Sequence, residues 1–217
     1  MKKKYGVAGA MLVVMFVVWT LMIKIIDVQN VGQAGTAVGF ATLNVWFHEV
    51  MGVHMEIYTL TDWLGLIPVF VCLLFAGVGF IQLIKRKSLF KVDKDILLLG
   101  CYYIIVISGY LIFEMFPVNY RPILIEGRME ASYPSSTTLL VLSVMPTLVF
   151  QIKRRVKSAK AKKWVCFLSI LFSAFMVFAR LISGVHWFTD IVGALLLSAG
   201  LFYLYRAAVL VVDKDLI

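Results

Sequence analysis

The chain has 217 residues, of which 62% are hydrophobic and only 15% are charged, and its formal net charge is +9. Soluble domains carry roughly a quarter charged residues, and a globule of this length has too little interior to bury so many apolar side chains. The composition therefore excludes an ordinary soluble protein and indicates a membrane protein. The basic residues fall in short clusters between apolar runs, a distribution that fixes membrane orientation and argues against a nucleic-acid partner.

The first apolar run covers residues 5–26 and follows three lysines. It is long enough to cross about 30 Å of hydrocarbon. The small residues that would mark cleavage of a signal peptide come early, between Ala8 and Ala10, before the apolar core of a signal would end. We therefore expect a first span that is retained.

Residues 28–62 differ from the runs around them. They begin with three glycines and continue with a mixture of apolar, aromatic and polar side chains that includes Trp46, His48 and His54. This pattern predicts an amphipathic helical segment along the outer face of the membrane. Such a segment either gates the entry of a lipid or forms a packing cover over the bundle.

Five further apolar runs follow, and none shows the period-two alternation of a membrane barrel. Because backbone hydrogen bonds in lipid must close within each span, every run is predicted to be a helix. The runs cover residues 63–84, 95–116, 134–152, 164–183 and 187–212. The sequence thus predicts an all-α membrane protein, a six-transmembrane-helix bundle that forms a single domain over residues 1–217.

The connectors predict how this bundle is oriented. If six spans alternate in direction, 17 of the 21 basic residues lie on one side, namely the N-terminal lysines, those of segments 85–94 and 153–163, Arg206 and Lys214. Cytoplasmic connectors carry the excess of Lys and Arg, so both termini are predicted to be cytoplasmic.

Four basic residues map to the outer side instead, namely Lys24, Arg121, Arg128 and Arg180. Lys24 lies at the end of a span, where its long side chain reaches the interface, but three outer arginines oppose the orientation signal and require a reason. Arg121 and Arg180 belong to two of three polar outer segments, which cover residues 119–122, 133–138 and 180–190. A guanidinium group matches the oxygens of a phosphate, so these segments predict an anion site.

The helix starts in these segments support that prediction. Pro134 suits a first helical turn, where amides and hydroxyls favour anions; those following it belong to Ser135, Ser136 and Thr137. His186 and Asp190 are four residues apart at a helix start, hence on one face, so that Asp190 can accept from one imidazole nitrogen and leave the other as a nucleophile or base. Each element alone also fits a structural cap, but together they favour chemistry.

The spacing of Arg180, His186 and Asp190, preceded by an Arg-Pro pair and a Pro-Ser helix start, resembles the type 2 phosphatidic acid phosphatase superfamily. The resemblance implies a lipid phosphatase that needs no metal or other cofactor and works through a phosphohistidine. It implies that His186 is the nucleophile and that Asp190 orients it. The phosphate-binding groups that it implies are those of Arg121, Arg180, Ser135 and the backbone at Ser136.

Two positions depart from the pattern of that superfamily. Glu114 stands where the first motif begins with Lys, and Thr137 stands where the second motif has the His that protonates the departing alkoxide. A threonine hydroxyl hydrogen-bonds a phosphate oxygen but is a poor acid near neutral pH. General acid catalysis contributes typically about 10²–10⁴-fold to a rate, so the loss of this His bears directly on turnover.

Three interpretations of these departures stay open. In the first, the substrate is a lipid diphosphate such as a polyprenyl diphosphate, whose phosphate leaving group has a second pKa of about 6 and needs little protonation. In the second, another residue donates the proton, and Glu114 is the candidate if burial raises its pKa; a pair between Glu114 and Arg128 is the structural alternative. In the third, the protein binds lipid phosphates without turnover, as a sensor, scaffold or transport component.

The sequence therefore predicts a phosphoric ester or diphosphate hydrolase whose partners are a lipid phosphate and the bilayer. Its expected location is the plasma or inner membrane, as a multi-pass protein with the active site on the extracytoplasmic side. The sequence indicates no oligomeric state. The cysteines lie singly in apolar runs without metal-ligand spacing, so no metal site is predicted from Cys72, Cys101 and Cys166.

Overall fold

Helices dominate the computed structural model, which describes residues 2–212. Within that range the helices are α1 (Lys2–Ile25), α2 (Ala41–Met51), α3 (Met55–Leu64), α4 (Leu66–Arg86), α5 (Lys94–Met115), α6 (Ser136–Arg155), α7 (Ala159–Ile182) and α8 (Phe188–Val212). Short single turns at Gln33–Gly35 and Leu89–Lys91 and a few isolated bridges occur in the connectors.

Six stretches of the described chain are long and apolar enough to cross a membrane, which confirms the predicted six-helix bundle. They are α1, the joined α3 and α4, and α5 to α8. The predicted second span, 63–84, was too short, because the candidate span runs from Met55 to Arg86. Gly65 keeps helical angles (φ −59°, ψ −18°) and its N–H reaches the carbonyls of Thr61 and Asp62. The polar residues of α3 therefore continue the helix of the span.

Helix α8 lies at the centre of the bundle, in contact with α1, α5 and α6. Glycines allow α1 to approach it closely: a Cβ at Gly9 would lie 3.0 Å from the carbonyl oxygen of Gly200, and a Cβ at Gly200 would lie 2.9 Å from the side chain of Val13. Close backbone approach through small residues is a usual way for membrane helices to pack. The first and last spans are thereby fixed against each other.

The predicted amphipathic segment forms two helices, α2 and α3, that cover one end of the bundle. The buried Asn44 amide donates to Thr189 Oγ1 at 3.0 Å and its oxygen accepts from the Thr189 N–H at 3.2 Å, which attaches α2 to the start of α8. Between α2 and α3, the His54 N–H donates to the Ser183 carbonyl at 3.0 Å. The segment is thus a packed cover over the loop between α7 and α8. We call this end of the bundle the site end.

At the opposite end, which we call the basic end, the helices meet through charged and aromatic groups. Tyr5 stacks on Tyr203 with ring centroids 5.8 Å apart, and the Arg206 guanidinium lies 4.1 Å from the Tyr5 ring. The described ends of α1 and α8 therefore lie together, as an even number of spans requires. Their cytoplasmic location stays a prediction, and Lys214, which contributed to it, lies outside the described residues.

Candidate active site

His186 lies in the short loop that connects α7 to α8. Gly184 has a φ of +71°, and a Cβ there would come within 2.0 Å of the Gly52 carbonyl oxygen. A residue with a side chain is therefore excluded both by its backbone conformation and by the contact with the cover segment. This turn directs the chain so that His186 is only 3% exposed, immediately before α8 begins.

Asp190 is fully buried in the first turn of α8, where the helix N-terminus favours a carboxylate. Its Oδ2 accepts from the Trp187 N–H at 2.9 Å and from the Ser132 hydroxyl in a short hydrogen bond. The distance from His186 Nδ1 to Asp190 Oδ2 is 3.6 Å, longer than a hydrogen bond. The predicted direct bond between the two side chains is therefore not present.

The Ser132 hydroxyl connects these two side chains instead. Its Oγ lies 3.3 Å from His186 Nδ1 and donates to Asp190 Oδ2. With the Ser132 proton given to the carboxylate, its oxygen accepts from Nδ1–H, so the imidazole proton is held on Nδ1 and the Nε2 lone pair is left unprotonated. Sequence reasoning missed Ser132, because a lone serine in a connector two residues before Pro134 carries no distinguishing signal.

The environment of His186 keeps the imidazole neutral. Burial lowers the pKa of His186 well below its ordinary value of 6.5, and the nearby positive charges of Arg121 and Arg180 lower that pKa further. Its Nε2 has no hydrogen-bond partner among the described residues. A neutral imidazole with one nitrogen oriented and the other unpaired has the properties of a nucleophile.

Arg180, at the end of α7, is 1% exposed and joins three helices. Its Nη2 donates to Thr137 Oγ1 at 2.5 Å, and its Nη1 donates to Thr61 Oγ1 at 3.1 Å and to the Tyr58 carbonyl at 3.3 Å. The carboxylate of Asp62 lies 3.4 Å from Nη2. Arg180 therefore attaches α3 to the start of α6 while bringing a positive charge to the site.

Arg121 approaches from the connector between α5 and α6 and is 7% exposed. Its N–H donates to the Glu130 carbonyl at 3.1 Å, and its Nε lies 3.2 Å from Glu130 Oε2. Its Nη1 has no hydrogen-bond partner among the described residues. The guanidinium carbon lies 5.6 Å from the ring centroid of Tyr58, and that of Arg180 lies 4.7 Å from the same ring. Tyr58 is therefore an aromatic contact shared by both arginines.

The start of α6 lies beside them. The helix begins at Ser136 with Ser135 as its N-cap residue, so Pro134 lies before the helix and not in its first turn as predicted. The buried Ser135 hydroxyl donates to Thr138 Oγ1 at 3.0 Å, and the Ser135 N–H donates to the Asp190 carbonyl at 3.2 Å. Thr137 is engaged with Arg180, as described above, whereas Ser136 is half-buried and lines the cavities described below.

Glu114 occupies the last turn of α5 and is exposed. The burial that would keep it protonated is therefore absent, because the end of α5 opens to one side of the bundle. Within residues 2–212 no ion pair joins it to Arg128, which lies exposed in a tight turn closed by the Arg128 N–H and the Ile125 carbonyl at 2.9 Å. Both alternatives proposed for Glu114 from the sequence lack the contacts that they require.

Two cavities meet at this end of the bundle, and both are lined by Tyr110 and Ser136. The first is polar, measures about 200 Å³ and is lined by Tyr110, Phe113, Glu114, Arg121, Glu130, Ala131, Ser132, Pro134 and Ser136. The second is mainly apolar, measures about 250 Å³ and lies between α4, α5 and α6. A polar compartment that adjoins an apolar one has the form expected for a ligand with a charged head and a hydrocarbon tail.

Comparisons with known proteins agree with this architecture. Residues 114–212 match the family model of the PAP2 superfamily. The fold resembles that of the first transmembrane PAP2-type phosphatidylglycerolphosphate phosphatase from Bacillus subtilis, with a TM-score of 0.67 and 16% sequence identity over 96% of this chain and 97% of that one. No curated protein sequence gives a significant match. The predicted resemblance to the type 2 phosphatidic acid phosphatase superfamily is thus confirmed.

Proposed function

We propose that this protein, a PAP2-type membrane protein over residues 114–212, hydrolyses a lipid phosphate or diphosphate through a phosphohistidine at His186. One observation carries the proposal: a buried, neutral imidazole has its Nδ1 beside Ser132, its Nε2 unpaired, and two arginine side chains nearby. Unpaired buried donors are rare in proteins and require an explanation. A bound phosphate supplies one, because its oxygens accept from arginine while its phosphorus faces Nε2.

In this mechanism Nε2 of His186 attacks the phosphorus and the bond from phosphorus to the lipid oxygen breaks. Arg121 and Arg180 stabilise the negative charge on the equatorial oxygens, and preorganised donors of this kind are usually the largest contribution to phosphoryl transfer. The imidazolium that forms is stabilised through Ser132 by the Asp190 carboxylate. Water then attacks the phosphohistidine, the bond between nitrogen and phosphorus breaks, and inorganic phosphate is released.

The lipid nature of the substrate follows from the apolar cavity beside the site. Its lining includes the outward-facing side chains of Leu66 and Ile107, which are exposed along the bundle in the span region. A hydrocarbon chain entering between α4 and α5 reaches Ser136, where the polar cavity begins. We assign the site to the extracytoplasmic side of the plasma or inner membrane, because the basic connectors lie at the opposite end of the helices.

Thr137 limits which leaving groups suit this site. Its hydroxyl is held by Arg180 Nη2 at 2.5 Å, so it neither titrates near neutral pH nor is free to donate. A polyprenyl diphosphate fits this restriction, since its phosphate leaving group has a second pKa of about 6 and departs without a donated proton.

A second candidate function is the binding of lipid phosphates without turnover. The same Thr137 contact favours it, because the position that would supply a general acid is instead a structural partner of Arg180. The two functions differ in their need for His186. Binding requires the arginines alone, whereas turnover requires the imidazole.

The test is phosphate release by the purified protein in a nonionic detergent, measured on a panel of lipid monophosphates and diphosphates. We expect release by the wild type and a fall of at least about 10³-fold in His186→Ala, the scale of losing a nucleophile. His54→Ala is the matched control, because the His54 side chain is exposed and contacts only the Met51 carbonyl. Release that is equal in the wild type and His186→Ala contradicts the proposal, and binding without any release supports the second candidate.

A further inference from the structure

Two carboxylates line the polar cavity beside the phosphate-binding groups. Glu114 reaches it from the last turn of α5, and Glu130 reaches it from the connector that also carries Arg121. Tyr110 lies close to both carboxylates. Glu130 is 37% exposed and Glu114 is exposed, so neither is forced by burial into its neutral form. The cavity therefore carries two negative charges next to the place proposed for an anion.

Arg121 shows that the same cavity also receives an anion. It lines the cavity, is more than nine-tenths buried, and has an Nη1 without a hydrogen-bond partner among the described residues. Its Nε is already close to Glu130, so one carboxylate is partly neutralised by it, whereas Glu114 forms no ion pair in residues 2–212. A phosphate bound to Arg121 would lie beside an uncompensated carboxylate, and like charges at such distances repel.

We infer that the substrate is a lipid phosphate that carries a positively charged amine close to its phosphate. The inference rests on the proposed function and names the substrate class of that site. The phosphate binds Arg121 and Arg180, while the ammonium group lies between Glu114 and Glu130. The cavity of about 200 Å³ is several times the roughly 30 Å³ that one water molecule occupies, which is enough space for a phosphate and a short aminoalkyl group.

An ammonium group fits these carboxylates better than a metal ion. Within the described residues no group of three or more His, Cys, Asp or Glu side chains is arranged to hold a metal. An ammonium needs only two or three acceptors and no fixed coordination geometry. A polyprenyl diphosphate offers neither cation and adds a second phosphate to a site that already contains two carboxylates, so the cavity disfavours it.

The amine also supplies the proton that Thr137 does not. In a lipid whose amine is two carbons from the ester oxygen, the ammonium donates a hydrogen bond to that oxygen. When His186 Nε2 attacks and the bond from phosphorus to the ester oxygen breaks, the electron pair remains on that oxygen, which takes the ammonium proton. The products of this step are phosphohistidine and a neutral amino alcohol. Water then attacks the phosphorus, the bonding pair returns to Nε2, and dihydrogen phosphate leaves.

The first experiment measures binding to His186→Ala in a nonionic detergent, so that the result does not depend on turnover. The probes are a single-chain 2-aminoalkyl phosphate, its N-acetyl derivative and a polyprenyl diphosphate. We expect the free amine to bind at least about fivefold more tightly than its acetylated form, the scale of one partly exposed ion pair. Equal affinity for the amine and acetyl forms, tighter binding of the diphosphate, or affinity that depends on added divalent cation instead of the amine overturns the inference.

The second experiment identifies the residues that recognise the amine. In the His186→Ala background, the added substitutions Glu114→Gln and Glu130→Gln should each reduce the ratio of amine to acetyl affinity, and Glu114→Lys should invert it. Glu56→Gln is the matched control, because Glu56 is exposed in the first turn of α3 and does not line the cavity. A ratio that both glutamine variants leave unchanged contradicts the assignment.

Turnover separates this inference from the proposed function. Release of phosphate from all lipids alike, lost in His186→Ala, supports the phosphatase and rejects amine recognition. A tight and selective complex with the aminoalkyl phosphate but no release, even at high enzyme concentration, supports amine recognition and rejects the phosphatase.

Discussion

The two ends of the helix bundle both contain arginine and acidic residues, but their contacts differ. At the basic end, Arg155 donates to both oxygens of Asp95 at 2.8 Å, to Asp93 at 3.0 Å and to Gln151 at 2.9 Å. Arg86 donates to Asp93 at 2.7 Å. Burial raises the pKa of Asp93, but its hydrogen bonds with Arg86, Arg155 and Gln82 outweigh that and leave the pKa below its ordinary value.

At the site end the protein leaves donors and acceptors unpaired. Arg121 Nη1 and His186 Nε2 have no hydrogen-bond partner among the described residues, although both side chains are more than nine-tenths buried. An unpaired buried polar group costs about 1–3 kcal/mol. The difference between the two ends teaches that charge alone does not mark a functional site. The basic end uses its charges to connect helices, whereas the site end keeps charges available to a ligand.

The largest expected effect that separates the two ends comes from Arg121→Gln. This substitution should reduce kcat/KM for phosphate release by about 10²–10³-fold, because it removes a preorganised donor from the transition state. The free energy of unfolding should change little, since Nη1 forms no protein contact that would be lost. Phosphate release and chemical denaturation of the same preparation measure the two effects. A large loss of stability with unchanged kcat/KM would show that Arg121 is structural, like Arg155.

A smaller effect is expected from Ser132→Ala, which removes the hydroxyl between His186 and Asp190. The imidazole would lose the acceptor that holds its proton on Nδ1, and kcat should fall by about 10–100-fold, the scale for groups that orient a functional side chain. KM should change little, because Ser132 orients His186 and is not a phosphate ligand. Ser132→Thr, which keeps the hydroxyl, should recover part of the loss. A change in KM alone would assign Ser132 to substrate binding.

Arg155→Gln tests the opposite end. We expect the free energy of unfolding to fall by about 1–3 kcal/mol, because the substitution removes charged hydrogen bonds from Asp93 and Asp95, with kcat/KM at saturating stability changed by less than about twofold. Denaturation in a nonionic detergent and phosphate release measure these quantities. Lys157→Gln is the control, because Lys157 is exposed in the same connector and forms no bond within the described residues. A large loss of kcat/KM would show that the two ends are coupled.

The smallest effect concerns pH. Because burial and the two arginines lower the pKa of His186, the imidazole should stay neutral as the pH falls from 7 to 5.5, whereas an ordinary histidine would become roughly nine-tenths protonated. The sign follows from the lowered pKa: protonation occurs only when the pH falls through the lower value. The chain has three histidines, so imidazole ¹⁵N signals assigned with His186→Ala allow a direct measurement. A midpoint at or above 6.5 for His186 contradicts the expectation.

Sequence patterns predicted most of the spans and part of the site. Apolar runs long enough to cross a bilayer left little choice of structure, because a backbone in lipid must satisfy its own hydrogen bonds. The second span was the exception, since Glu56, Thr61 and Asp62 have the composition of an interfacial segment while lying on a helix that continues into α4. Local composition did not reveal that Thr61 and Asp62 have a buried partner in Arg180.

The spacing of His186 and Asp190 predicted that the two side chains would be neighbours, but not how they are connected. That depends on Ser132, which is 54 residues before His186 and reaches it only through the packing of α6 against α8. The role of Glu114 likewise depends on burial, which a single sequence does not give. Its exposure at the end of α5 removes the reason for a raised pKa and leaves a carboxylate beside Arg121 in the polar cavity.

The sequence by itself determined the solvent of this protein, the number of its spans and the residues available for phosphate chemistry. It did so because hydrophobic length, charge distribution and motif spacing are local properties that a bilayer or a helix converts directly into structure. Only the tertiary structure decided which of the polar residues are paired. Arg155 and Arg121 look alike in the sequence, but packing surrounds the first with acceptors and leaves the second with a free donor in a cavity. That difference depends on contacts between distant helices, and it is the basis for assigning function to one end of the bundle.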